Sequence, residues 1–141
     1  MRIQEYEFPE DLYYDRNHYW ARVEGEVVTQ GTTDYAQKMA GQFAYVALPR
    51  LGRMVEQGKA FTSVESGKWV GRVYATVTGT IIEVNDELEN DAALINKEPY
   101  GRGWIVKIKM SDPKELDNLL RASEPAFEEF MLSEIERHKR G

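Results

Sequence analysis

The chain of 141 residues has no cysteine. Disulfides, thiolate nucleophiles and cysteine metal sites are therefore excluded, and redox sulfur has to come from an attached group. Histidine is nearly as scarce, with His18 and His138 the two copies, and no serine–histidine–acid set has motif spacing. A free-standing hydrolase has no supporting residues. Positive charge is in deficit: 18 Lys and Arg against 24 Asp and Glu leave a formal net charge of −6. That argues against nucleic acid as a partner, because phosphate binding needs a basic surface. An acidic surface serves solubility, or steers an encounter with basic partner enzymes. No stretch reaches the roughly 20 apolar residues that span a bilayer. Residues Met1–Glu7 lack the apolar core of a secretory signal. The expectation is a cytoplasmic protein with no membrane partner.

What is present is a pattern of short strands. The length fits one domain, in which roughly 68–70% of the unfolded chain's surface is buried without metal or disulfide. Residues 12–31 read as a hairpin, with Tyr19, Ala21 and Val23 facing one way and Glu24-Gly25 at the turn. Thr33 reads as the N-cap of a short helix, Asp34 to Ala40, with Gly41 just past its end. Gln42–Leu48, Ala60–Glu65, Trp69–Val77, Thr80–Asn85 and Trp104–Met110 alternate as strands. In the last, Lys107 and Lys109 take the wet face. Asp86 to Asp91 reads as a solvated acidic loop, since it lacks the EF-hand pattern of a calcium site. Leu94-Ile95-Asn96 falls in an irregular connection. Asp112-Pro113-Lys114-Glu115 opens a helix as a capping box. Pro125 to Arg140, with Phe127, Met131 and Ile135 at i, i+4, i+8, reads as an amphipathic helix packed on the rest. Closely spaced strands of this kind predict an all-β sandwich or barrel.

The chemistry centres on Val64-Glu65-Ser66-Gly67-Lys68-Trp69. Gly67-Lys68 suits a two-residue type II′ turn, with positive φ at the glycine, so Lys68 points outward from a stiff hairpin. An exposed, hydrated ammonium is a poor Schiff-base catalyst. It is well placed for acylation, which removes its charge and lengthens its stem. The competing reading is an ordinary soluble turn residue. His18 has a structural hydrogen-bonding role as its first reading, and His138 suits a helix C-terminus.

Five blocks resemble the glycine cleavage system H-protein family. They are His18-Tyr19-Trp20, Gly31-Thr32-Thr33-Asp34-Tyr35-Ala36-Gln37, Val64-Glu65-Ser66-Gly67-Lys68, Val77-Thr78-Gly79, and the run from Asn85 to Trp104 with Leu94-Ile95-Asn96 and Pro99-Tyr100-Gly101 inside it. They span roughly residues 12 to 120 in family order. The resemblance implies a mostly β, lipoyl-domain-like barrel-sandwich hybrid with a short internal helix and C-terminal helices. It implies residues 1–122 as the lipoyl-binding domain and 123–141 as a helical extension packed on it. It implies a monomeric, non-catalytic carrier with lipoate amide-linked to Lys68, and a lipoylating enzyme that reads Glu65 and Ser66.

The chain also departs from the family. Gly67 and Trp69 flank the lysine, and Trp69-Val70-Gly71 replaces small residues followed by an acidic one. With Phe8-Pro9-Glu10-Asp11-Leu12-Tyr13-Tyr14, this form resembles the H-like lipoate-binding proteins of sulfur oxidation. The expected partner is then a heterodisulfide-reductase-like complex, and Trp69 shields or selects the cargo. The alternative is an H protein carrying the aminomethyl intermediate of glycine decarboxylation among glycine cleavage enzymes, dihydrolipoamide dehydrogenase included. A biotinyl carrier would place methionines around the lysine, which Gly67 and Trp69 do not match. An unmodified binding module stays open.

Overall fold

Alternation along Tyr19–Glu24 divides the interior in two. Tyr19 and Ala21 are buried in one apolar cluster and Trp20 in another, on opposite faces of the same strand. A computed structural model describes residues 1–140. In chain order the elements are β1 (Arg2–Ile3), β2 (Tyr6–Glu7), β3 (Tyr13–Tyr14), β4 (Tyr19–Glu24), β5 (Val27–Thr32), α1 (Asp34–Ala40), β6 (Phe43–Val46), β7 (Met54–Val55), β8 (Ala60–Ser66), β9 (Val70–Tyr74), β10 (Gly79–Val84), α2 (Glu87–Asn90), α3 (Leu94–Lys97), β11 (Val106–Met110), a 3₁₀ turn (Pro113–Asn118), β12 (Leu120–Arg121) and α4 (Pro125–Arg140).

Seven strands form one antiparallel sheet in the order β12-β3-β4-β5-β11-β10-β7, and β6-β8-β9 form a second. The first cluster draws Ala21, Val28, Ile81 and Ile108 from the large sheet and Phe43, Val64 and Val73 from the small one. This is the expected barrel-sandwich hybrid. The second cluster lies under α4, whose Phe127, Met131 and Ile135 bury against Phe8, Leu12, Tyr14 and Trp20. The Phe8 and Phe127 rings meet edge to face at 5.0 Å. Helix α4 thus packs on its own barrel.

Capping of α1 follows the sequence: the Thr33 side chain accepts from the Ala36 amide, and Gly41 has φ +83°. Other expectations are corrected. The 86–91 segment is not a loop, because Glu87–Asn90 makes one helical turn that buries Leu88. Leu94–Lys97 is likewise a helical turn, burying Leu94 and Ile95. Strict alternation in β6 and β8 fails. Phe43 and Val46 are the buried residues of β6, and Phe61 and Val64 of β8, because the register slips between Phe43 and Tyr45 and between Ala60 and Thr62. Asp112 caps a 3₁₀ turn, its side chain accepting from the Lys114 amide. Glu115 does not complete a capping box. Its carboxylate takes the Thr78 amide and hydroxyl at 2.8 and 2.7 Å, a long-range pair that local sequence does not show.

Candidate functional site

Strands β8 and β9 pair from Ala60↔Tyr74 to Glu65↔Val70, and Gly67-Lys68-Trp69 lies between them. It is not a type II′ turn, since Gly67 is absent from the residues with positive φ. The Ser66 amide donates to the Trp69 carbonyl at 2.8 Å. The Ser66 hydroxyl accepts weakly from the Lys68 amide at 3.4 Å and donates to the Ala40 carbonyl at 2.6 Å. The serine therefore ties the hairpin tip to the end of α1 and takes over the work of the expected turn geometry. Glu65 stays exposed.

Lys68 is exposed and has no ion-pair partner among the described residues. Its stem does not point straight out. It lies across Gly41, where a Cβ would stand 3.0 Å from the lysine Cε. Gly41 thus serves twice, ending α1 with a backbone that L-residues resist and leaving room for the stem. This arrangement fits a lysine acylated by a long arm, because the amine is unpaired and its base is braced.

Trp69 folds the other way. A Cβ on Gly71 would lie 1.9 Å from its ring, so the indole covers Gly71, and it meets Phe43 edge-on at 6.5 Å. Trp69 keeps 43% of its surface exposed, and Val70 and Tyr45 keep 69% and 54%. Tyr45, Glu65 and Val70 stand in one cross-strand row, an exposed face beside the lysine.

Behind Trp69 opens a cleft of about 640 Å³. Trp69, Val70, Met39 and Phe43 form an apolar side, and Arg16, His18, Thr32, Arg72, Glu134, Arg137 and His138 supply polar groups. The loop bearing His18 is built by Asp15, whose Oδ1 accepts from the Tyr19 and Asn17 amides at 2.8 and 2.9 Å. His18 is left with φ +71°, and its Nε2 lies 2.8 Å from Glu134 Oε1. Burial lowers the His18 pKa below the ordinary imidazole range, against the raising effect of Glu134. Because a carboxylate only accepts, Nε2 is the ring nitrogen that carries a proton toward Glu134. For Glu134 burial acts to raise the pKa, but the bonds from His18 and Arg137 outweigh it and hold it low. Tyr35, pushed up to about 12 by burial, pairs its hydroxyl with His138 Nδ1. Among the described residues, Asp15 Oδ2, His18 Nδ1 and Thr32 Oγ1 are buried without a hydrogen-bond partner.

Asp15 makes a prediction. Burial pushes its carboxyl up from 3.8 to about 7, against two backbone N–H bonds that lower it. The folded chain thus holds this proton more tightly than the unfolded chain. The resulting stabilisation is complete below about pH 4 and is lost as pH rises through about 7. Asp15→Asn keeps the acceptor for both amides. Urea midpoints at about pH 4.5 and about pH 7.5 should differ less in the variant than in the parent. An unchanged difference would mean that Asp15 stays ionised throughout.

His18 has the structural bond expected of it. The partners missed from sequence are Glu134, Arg137 and His138, which reach the cleft from the end of α4. Their i, i+3, i+4 spacing puts them on one helix face, and that was the available signal.

The barrel-sandwich hybrid, with an exposed lysine at a hairpin tip, places the chain in the lipoyl-domain-like fold class. The profile of the glycine cleavage H-protein family matches residues 12–132, and the chain belongs to that family. Its members are non-catalytic carriers with covalently attached lipoate that work with the other enzymes of their system. A glycine cleavage system H protein of Myxococcus xanthus is 46% identical over 115 residues, covering 82% of this chain and 89% of the relative. Glycine cleavage system H protein 4 of Aquifex aeolicus is 41% identical over 137 residues, covering 97% of this chain and 79% of the relative. The crystal structure of an H protein from Mycobacterium marinum superposes with a TM-score of 0.74 at 32% identity, over 86% of this chain and 98% of that one. The narrower expectation, a heterodisulfide-reductase-like sulfur oxidation system, gains no support from these relatives, whose names fit the glycine cleavage alternative better.

Proposed function

We propose that Lys68 carries a lipoyl group in amide linkage, and that the chain is the H protein of a glycine cleavage system, moving the aminomethyl unit of glycine decarboxylation between partner enzymes. The observation behind this reading is the unpaired Lys68 on a tip braced by Ser66, in a chain of this family. When bound, the dithiolane supplies two sulfurs able to cycle between disulfide and dithiol. The chain's own residues do the positioning. Ser66 holds the tip against α1, and Gly41 leaves room for the lysine stem. Glu65, Tyr45 and Val70 offer partners and the lipoylating enzyme a face beside the attachment point. Trp69 walls the cleft on that side.

A second reading, a sulfur carrier, is retained for one observation. A large aromatic stands beside the lysine and covers a cleft lined by three arginines. Intact and peptide mass of the protein from its native host tests the common core of both readings. A lipoyl-sized increment on the peptide containing Lys68 is expected; an unmodified Lys68 overturns both. Loading by a glycine-decarboxylating partner then supports the first reading, and failure to load supports the second.

A further inference from the structure

We propose that Asn96 is a positioning residue for the Lys68 tip: from α3 it holds the 41–43 turn on which Ser66 and the lysine stem are braced. This role rests on the carrier reading and deepens it.

The end of α1 creates the need. The last carbonyls of a helix have no partner within it. The Gly41 amide returns to the Gln37 carbonyl at 3.1 Å, and with φ +83° the chain then turns away. The Ala40 and Gly41 carbonyls are left to distant side chains. The Ser66 hydroxyl donates to the Ala40 carbonyl at 2.6 Å. Asn96, 55 residues from Gly41, donates from Nδ2 to the Gly41 carbonyl at 2.8 Å. The other end of the same amide group reaches further along the turn, where Asn96 Oδ1 accepts from the Phe43 amide at 2.8 Å. Nδ2 also donates to Gln37 Oε1 at 3.1 Å. A carbonyl to satisfy on one side and an N–H on the other fix which way the Asn96 amide faces. Aspartate, of the same shape, could only accept.

The clamped turn meets the tip at several points. Ser66 bonds Ala40, and the Lys68 stem crosses Gly41. Phe43 pairs with Ser66 between β6 and β8, and its ring meets Trp69. Asn96 bonds the turn and not the tip, so it acts through residues 41–43. Its own base is firm. The preceding Leu94 and Ile95 are buried in the first cluster. Gly103 lets the chain close on α3, since a Cβ there would stand 2.6 Å from the Leu94 carbonyl. Asn96 therefore ties an exposed tip, Gly67 to Trp69, to the core. A loose tip would have to be ordered each time an enzyme binds it, which weakens binding, whereas a held tip is already ordered.

The test compares Asn96→Ala with Asn85→Ala. Asn85 is a buried asparagine that donates to the Arg102 and Trp104 carbonyls at 2.7 Å each, both outside the hairpin. Two quantities are measured on the full chain where each variant is folded. One is the set of backbone amide NMR order parameters of the unmodified protein. The other is kcat/KM for a lipoylating enzyme that transfers the lipoyl group from lipoyl-adenylate to the Lys68 amine, releasing AMP and a proton. In Asn96→Ala the order parameters of Lys68 and Trp69 should fall from about 0.85 toward about 0.6. Its kcat/KM should fall at least about fivefold, chiefly through KM. Asn85→Ala should keep the parental tip order and a kcat/KM within about twofold of the parent, whatever stability it loses. Asn96→Asp keeps the acceptor for Phe43 and removes the donor to Gly41, so it should loosen Lys68 while Phe43 stays ordered. It carries the test if Asn96→Ala does not fold. Loss of tip order together with slower modification supports the role. Either loss alone, or the same losses in Asn85→Ala, overturns it. A parent chain that accepts no lipoyl group overturns the carrier reading instead, and the order parameters then still decide whether Asn96 holds the tip.

Discussion

A Lys68→Arg chain is expected to fold like the parent, gain no lipoyl mass and support no transfer between partner enzymes. Arginine keeps the charge and most of the stem length, but its guanidinium stays protonated and is not acylated. Lys68 is exposed and unpaired among the described residues, so the stability change should stay within about 0.5 kcal/mol. The loss of function is then separated from any loss of structure. Both halves are measured on one sample: intact mass after exposure to a lipoylating enzyme, and turnover of the reconstituted system. Turnover by Lys68→Arg would end the swinging-arm reading and leave a binding module on a carrier fold.

Trp20→Ala is expected to lose about 3–5 kcal/mol of stability, the range for emptying a large aromatic site. Trp20 is fully buried in the second cluster. Its indole N–H donates to the Pro99 carbonyl at 2.9 Å, and the Arg22 guanidinium lies 4.9 Å over its ring. Gly31 on the neighbouring strand leaves room for the ring, since a Cβ there would stand 2.7 Å from it. The cavity left by alanine would open beneath Phe8, Leu12 and the inner face of α4. Small domains have only about 5–15 kcal/mol in total, so the variant sits close to unfolding. Urea denaturation provides the number. Trp20→Phe should fall between variant and parent, because it fills much of the volume but leaves the Pro99 carbonyl without its donor. A loss under about 1.5 kcal/mol for Trp20→Ala would mean that this cluster does not unfold together with the barrel.

Elements governed by neighbouring residues were legible in the sequence. Thr33 and Gly41 bound α1 as their chemistry requires, and the apolar spacing of Phe127, Met131 and Ile135 set the buried face of α4. Elements governed by distant partners were not. Glu115 reads locally as a capping residue, yet it bonds Thr78, 37 residues away. The acidic run at 86–91 reads as solvated, yet Leu88 finds the first cluster and pulls a helical turn with it. The bulges in β6 and β8 come from pairing with other strands, and no single strand contains that information.

The candidate site divides along the same line. The sequence by itself determined that Lys68 sits at the turn between two strands, that cysteine chemistry is absent, and which family the motifs resemble. These follow from residue type and short spacing. Only the tertiary structure decided that Ser66 braces the tip on Ala40, that the lysine stem lies over Gly41, and that Trp69 folds back over Gly71. It alone brought Arg16, Arg72 and Arg137 around one cleft. Those three belong to a loop, a strand and a terminal helix. The field they create depends on the distances between them, which chain folding sets and sequence spacing does not encode.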